Sequence, residues 1–199
     1  MISEKSPAFI LLHGRGADEN DLLGLSEYLD ERLLIITVRA PFSFPSGGGF
    51  TWYEIEEMGK PEPKMFAESY RKLAQFLHDV VAGYPIDQGK VFLGGFSMGA
   101  VMCYAMMLTK PPEIAGVAAN SGYLPEGTEL QLQWDAIAKK PFFVAHGKFD
   151  PVIPVQFGRR AKELLENAHA ELTYREYEMG HQIGEESLND MMQWLTKHI

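Results

Sequence analysis

The chain has 199 residues, 46% of them apolar and 23% charged, with a formal net charge of −9. That length suits one domain with room for a sizeable core, and the composition is ordinary for a globular protein. The acidic balance, with no run of Lys or Arg, speaks against nucleic acid and against stable association with anionic membrane surfaces.

The opening residues Met1-Ile2-Ser3-Glu4-Lys5 carry no basic stretch leading into an apolar run of signal-peptide length. No segment approaches the roughly 20 apolar residues that span a bilayer. The single cysteine, Cys103, cannot close an internal disulfide and fits a reducing compartment, so a cytoplasmic protein is expected.

In chain order, residues 9–12 read as a buried strand that stops at His13-Gly14. Residues 20–33 are expected to be helical, with Leu22, Leu23, Leu25 and Leu29 on one side. Leu34–Val38 is a second strand. Residues 39–63 are irregular, with Pro or Gly at 45, 47, 48, 49 and 61; a loop of that length is usually functional or disordered. Phe66, Tyr70, Leu73, Phe76, Leu77 and Val80 recur at helical spacing over residues 64–81, and Gly83 and Pro85 stop that helix. A strand at 91–93, an apolar helix at 98–108, strands at 114–119 and 142–145, a helix at 155–168, a strand at Glu171–Tyr177 and a helix at 185–197 complete the order. Strands alternating with helices predict an α/β fold: a mostly parallel central sheet with helices on both faces, here in a single domain over residues 1–199.

The strand at 91–93 runs into Gly94-Gly95-Phe96-Ser97-Met98-Gly99, and an apolar helix runs out of it. A G-x-S-x-G motif between strand and helix is the nucleophile elbow of the α/β-hydrolase fold. The sharp turn strains the serine backbone, exposes its Oγ at the C-terminal edge of the sheet and sets it at a helix N-terminus, where negative charge is favoured. The plainer reading of Ser97 is a helix cap in a glycine-rich turn.

A nucleophilic serine needs a base, and the base needs a third group to fix its tautomer. In this fold the acid and then the histidine follow the serine in sequence. His181 stands in the loop after strand Glu171–Tyr177, at the edge where Ser97 emerges. His169 lies at the opposite edge, His198 is next to the chain end, and His146 leaves too little chain for an acid before it. Asp150 stands on the loop after strand 142–145; Asp135 is the alternative acid but precedes that strand. Backbone N–H groups of Met98 and Arg15 are the expected oxyanion donors, Arg15 lying in the glycine-bearing loop His13-Gly14-Arg15-Gly16. Its side chain is then left for another role, such as substrate contact.

Rival motifs fail. Gly14-x-Gly16 has Glu19 where a dinucleotide fingerprint needs glycine, and Gly89-Lys90 lacks the glycine and the Ser or Thr of a phosphate loop. No His/Cys cluster has zinc spacing, and no metal or other cofactor is expected.

The segments Leu12-His13-Gly14-Arg15-Gly16, Arg39-Ala40-Pro41, Thr51-Trp52-Tyr53, Gly94-Gly95-Phe96-Ser97-Met98-Gly99, Ser121-Gly122-Tyr123-Leu124-Pro125, His146-Gly147-Lys148-Phe149-Asp150-Pro151-Val152-Ile153-Pro154 and Gly180-His181 run through nearly the whole chain. In that order they resemble the phospholipase/carboxylesterase family of small α/β-hydrolases, which includes acyl-protein thioesterases. The resemblance implies a hydrolase without a large cap domain, acting on a small carboxylic ester or thioester, often as a homodimer. It departs from the family at Met98, where members commonly carry Gln, and at Arg15, where many carry Leu. Trp52, Phe50, Tyr53, Tyr123 and Val152 are the candidate acyl-pocket residues, and short to medium acyl esters are the expected substrates. Lysophospholipids or acyl thioesters are the alternative, and a non-catalytic ligand-binding homologue is the alternative of another class.

Overall fold

A computed structural model describes residues 5–44 and 47–199. The first four residues, part of the stretch read for a signal segment, and Pro45 of the long loop lie outside the described residues. The elements are β1 (Ser6–Leu12), a 3-10 turn (Leu23–Tyr28), β2 (Leu34–Val38), β3 (Phe42–Ser43), β4 (Phe50–Thr51), β5 (Ile55–Glu57), β6 (Lys60–Pro61), α1 (Pro63–Gly83), β7 (Ile86–Phe96), α2 (Met98–Thr109), β8 (Gly116–Asn120), β9 (Pro141–Gly147), α3 (Val155–Asn167), β10 (Glu171–Tyr177) and α4 (Glu185–His198).

Six strands pair in the order β10-β9-β8-β7-β1-β2, every neighbouring pair parallel. Alternate residues of β1 serve two cores. Ala8, Ile10 and Leu12 face α1, α2 and α3, while Phe9 and Leu11 join the core under α4 and the 3-10 turn. A sheet buried on both faces explains why its strands read as unbroken apolar runs. Helix α2 is buried at every residue from Met98 to Leu108, so it has no polar stripe. Helix α1 starts on Glu62, whose carboxylate accepts the Lys64 and Met65 N–H groups, and Pro63 supplies the first helical position. No helix among the described residues is long and apolar enough to cross a membrane.

The expected helix over residues 20–33 is not formed. The segment is held by three-residue bonds, Leu23 N–H to Asn20 O and Leu25 N–H to Leu22 O, and the 3-10 turn covers only Leu23–Tyr28. Gly24 weakens an α-helix there, and Leu23 is 45% exposed, so the four leucines do not share one face. The long loop is not structureless either. It folds into two antiparallel hairpins, β3–β4 and β5–β6. Strand β7 begins at Ile86, well before residue 91; the residues from Asp87 to Lys90 are polar or glycine and largely exposed, so they carry no apolar signal in the sequence.

Chain direction reverses between β1 and β7. From β1 the chain moves to β2 at one edge; from β7 it proceeds through β8 and β9 to β10 at the other. Ligands of open α/β sheets gather at the carboxyl ends of strands beside such a switch point.

Candidate active site

Ser97 follows the last residue of β7 and precedes the first of α2, with φ 55° and ψ −119°. A non-glycine residue rarely adopts that conformation, and it is held here by its surroundings. The Ser97 N–H donates to Asn120 O at 2.9 Å, anchoring the turn to the end of β8. A Cβ at Gly99 would lie 2.0 Å from Leu12 O, so only glycine lets α2 start this close to β1. Among the described residues the Ser97 hydroxyl makes no hydrogen bond.

The Asp150 carboxylate comes from the turn after β9 and His181 from the loop after β10. The two loops are tied by backbone: Lys148 N–H donates to Tyr177 O at 2.9 Å and Phe149 N–H to Met179 O at 3.1 Å. Gly147 sits so close that a Cβ would lie 2.2 Å from Gly180 O. His181 Nδ1 lies 2.7 Å from Asp150 Oδ2, while Asp150 Oδ1 accepts the Val152 and Ile153 N–H groups at 2.8 Å each. Burial pushes the Asp150 carboxyl up, but the bonds from His181 and from the two amides outweigh it and leave it below the ordinary carboxylate range. The carboxylate is thus anionic at neutral pH, and His181 Nδ1 must carry the proton it receives. The His181 ring packs on Phe96, the residue before Ser97, with centroids 4.8 Å apart. Asp135 lies in a 3-10 turn before β9, at the opposite edge of the sheet.

The loop after β1 passes beside the serine: a Cβ on Gly14 would meet Ser97 Cβ at 3.4 Å. The Arg15 N–H donates to no group among the described residues, and Met98 N–H is first in α2 and has no intrahelical acceptor. His13 holds this loop from within. Ala40 N–H donates to its Nε2 at 3.1 Å, so Nδ1 carries the proton and donates to Gly14 O at 2.7 Å. Burial keeps that ring below the ordinary imidazole range.

The expected pocket residues fall in different places. Trp52 is only 1% exposed, stacks at a tilt on His13, and donates its indole N–H to His13 O at 2.9 Å. It braces the loop after β1 instead of presenting a face to solvent. Phe50 is tied to the same loop, its N–H donating to Ala17 O at 2.7 Å and its carbonyl accepting Gly16 N–H at 2.8 Å. Tyr123 and Tyr53 are buried with their hydroxyls 3.0 Å apart, and the Tyr123 ring meets Phe157. Val152 alone is well exposed, beside Asp150. The Arg15 side chain, which the sequence leaves open, pairs with Glu54 and stacks on Phe44. No local pattern links residues 15 and 54, so that pair is invisible in the sequence. The Met98 sulfur accepts from the Thr51 hydroxyl at 3.4 Å.

A strained serine between strand and helix, at the switch point of a parallel sheet, defines an α/β-hydrolase. The model of the phospholipase/carboxylesterase family matches residues 2–199, and the chain belongs to that family of hydrolases. Its relatives include the acyl-protein thioesterase 1 of Kluyveromyces lactis, 28% identical over 98% of this chain and 94% of its own. The acyl-protein thioesterase 1 of Saccharomyces cerevisiae is 27% identical over 96% of this chain and 92% of its own. The crystal structure of the Bacillus cereus carboxylesterase matches with a TM-score of 0.85 at 26% identity, covering 98% of this chain and 89% of its own.

Proposed function

We propose that the protein is a serine carboxylesterase that cleaves short to medium acyl esters through an acyl-enzyme on Ser97. The observation that carries this reading is the 2.7 Å His181–Asp150 pair, packed on Phe96 beside a serine held in a strained elbow. Ser97 Oγ attacks the acyl carbonyl and its proton passes to His181 Nε2. Asp150 stays ionised and steadies the imidazolium through Nδ1. The carbonyl oxygen, now an anion, takes hydrogen bonds from the Met98 and Arg15 N–H groups, each worth a few kcal/mol of barrier. The acyl C–O bond breaks and the leaving alcohol takes the proton from Nε2. Water then gives a proton to His181 Nε2 as its oxygen attacks the acyl carbon; the bond to Ser97 Oγ breaks, Oγ takes that proton back from Nε2, and the acid leaves. Free enzymes often hold the serine and histidine loosely until substrate arrives, so the unbonded hydroxyl fits this cycle.

The same steps cleave a thioester with a thiol as leaving group, and the thioesterases among the relatives favour that as the second reading. A binding module has no need of a strained serine beside an ordered His–Asp pair, which weighs against a non-catalytic role. In this reading the protein works in the cytoplasm, where its lone buried Cys103 stays reduced, and forms homodimers as the family resemblance implies. Hydrolysis of nitrophenyl esters tests it: Ser97→Ala is expected to lose at least a thousandfold in kcat, and activity within tenfold of wild type would refute the nucleophile. Across a chain-length series the rate is expected to peak below about eight carbons; a maximum at twelve or more would move the substrate to long-chain lipids or protein thioesters.

A further inference from the structure

A second buried histidine stands against Asp150. His146, near the end of β9, has a side chain only 1% exposed. Its Nε2 lies 2.8 Å from Ile153 O and 3.6 Å from Asp150 Oδ2. A carbonyl can only accept, so Nε2 carries a proton and donates to Ile153 O. At 3.6 Å the same N–H is too far for a hydrogen bond to the carboxylate, but its positive end still faces the oxygen that binds His181. The other ring nitrogen, Nδ1, is buried without a hydrogen-bond partner among the described residues and lies against α3, where a Cβ on Gly158 would come within 2.8 Å of it. The ring therefore has one orientation available, set by Ile153 on one side and Gly158 on the other.

The Ile153 carbonyl belongs to the residue whose N–H holds Asp150 Oδ1. One ring thus fixes the backbone unit that grips one carboxylate oxygen and flanks the other. A simple core filler needs no donor here, and a buried imidazole with an unpaired nitrogen is a costly way to fill space.

We propose that His146 is a positioning residue for the general base: its neutral ring, wedged between the Ile153 carbonyl and Gly158, holds the Asp150 carboxylate in the orientation that receives His181. The inference rests on the Ser97–His181–Asp150 reading above. It assigns His146 no contact with substrate and no proton transfer.

Three variants and two readouts test it. His146→Leu removes the donor and is expected to lower kcat about 10- to 100-fold with KM within twofold, as for a catalytic group displaced by a fraction of an ångström. His146→Gln, whose amide can donate to Ile153 O, is expected to recover kcat to within fivefold. Gly158→Ala leaves the histidine in place but drives a methyl into Nδ1, and is expected to lower kcat in the same way; it keeps the test open should His146→Leu fail to fold. The spectroscopic readout is the downfield proton of His181 Nδ1 in NMR, which reports the bond to Asp150. It is expected to be lost or shifted in His146→Leu and Gly158→Ala and restored in His146→Gln. If folded His146→Leu or Gly158→Ala keeps both kcat and that resonance, or if Gln does no better than Leu, the proposal falls. Ser97→Ala measured alongside separates the two levels: an inactive Ser97→Ala with a fully active His146→Leu overturns the inference alone, whereas an active Ser97→Ala overturns the triad itself.

Discussion

Replacing Trp52 by Phe separates bracing of the loop after β1 from lining of an acyl pocket. The indole is 1% exposed and its N–H meets the His13 carbonyl at 2.9 Å. Loss of that donor leaves a buried carbonyl unpaired, costing about 1–3 kcal/mol. The ring is also smaller by roughly 40 Å³, which adds about 1 kcal/mol at ~24 cal/mol per Å³ of cavity. The sum, about 2–4 kcal/mol, corresponds to a fall in Tm of roughly 5–15 °C for a chain of this size. His13 O is one residue from Gly14 and two from the Arg15 N–H, so a loosened His13 carbonyl also displaces the N–H that the proposed mechanism uses. The expected kinetic effect is about a tenfold lower kcat, uniform along a nitrophenyl ester series from two to eight carbons. Urea unfolding followed by circular dichroism, with steady-state kinetics on the same preparations, measures both. A stability change below about 0.5 kcal/mol together with a shifted chain-length optimum would refute the bracing role and return Trp52 to the pocket.

The buried histidines make stability depend on pH. Burial lowers the pKa of both His13 and His146 below 6.5 in the folded protein, so the unfolded chain takes up their protons first as pH falls. Their contribution is complete above about pH 6.5 and declines below it, by up to about 1.4 kcal/mol per pH unit for each ring; urea midpoints between about pH 7.5 and 5.5 should fall, and less so in His146→Gln. A pH-independent midpoint over that range would contradict the buried neutral rings. Gly99→Ala places a Cβ 2.0 Å from Leu12 O, and is expected either to leave no folded protein or to abolish hydrolysis; a folded variant with near-normal kcat would disprove the close approach at the elbow. The 3-10 turn makes neighbouring leucines unequal: Leu22, 7% exposed, should cost about 2–4 kcal/mol on replacement by Ala, and Leu23, 45% exposed, about 0.5 kcal/mol or less. Equal costs would favour the regular helix that the sequence suggests.

What could be read in advance followed from chemistry with strong local signatures. The turn that carries Ser97 was legible because a strand, a tight glycine-flanked turn and an apolar helix are contiguous in sequence. The meeting of Asp150 and His181 was legible because each follows one of two neighbouring parallel strands at the same edge of the sheet, where backbone bonds then tie the two loops together. Leu22, Leu23, Leu25 and Leu29 misled because their spacing fits a helix while Gly24 and the edge position favour a tighter turn. The early half of β7 was missed because a polar, exposed strand start has no apolar run. The burial of Trp52 was not legible because an aromatic beside a glycine-bearing loop suggests a pocket wall, and only the tertiary bond to His13 O shows which way its indole turns. The pairs Arg15–Glu54 and His146–Ile153 rest on backbone placement that no spacing rule encodes.

The nucleophile itself can be found by labelling the folded protein with a fluorophosphonate and mapping the adduct by peptide mass. One adduct per chain is expected, on the peptide that contains Ser97, absent after heat unfolding and absent in Ser97→Ala. An adduct on any other residue, or undiminished labelling of Ser97→Ala, would contradict a hydrolase built on Ser97, His181 and Asp150.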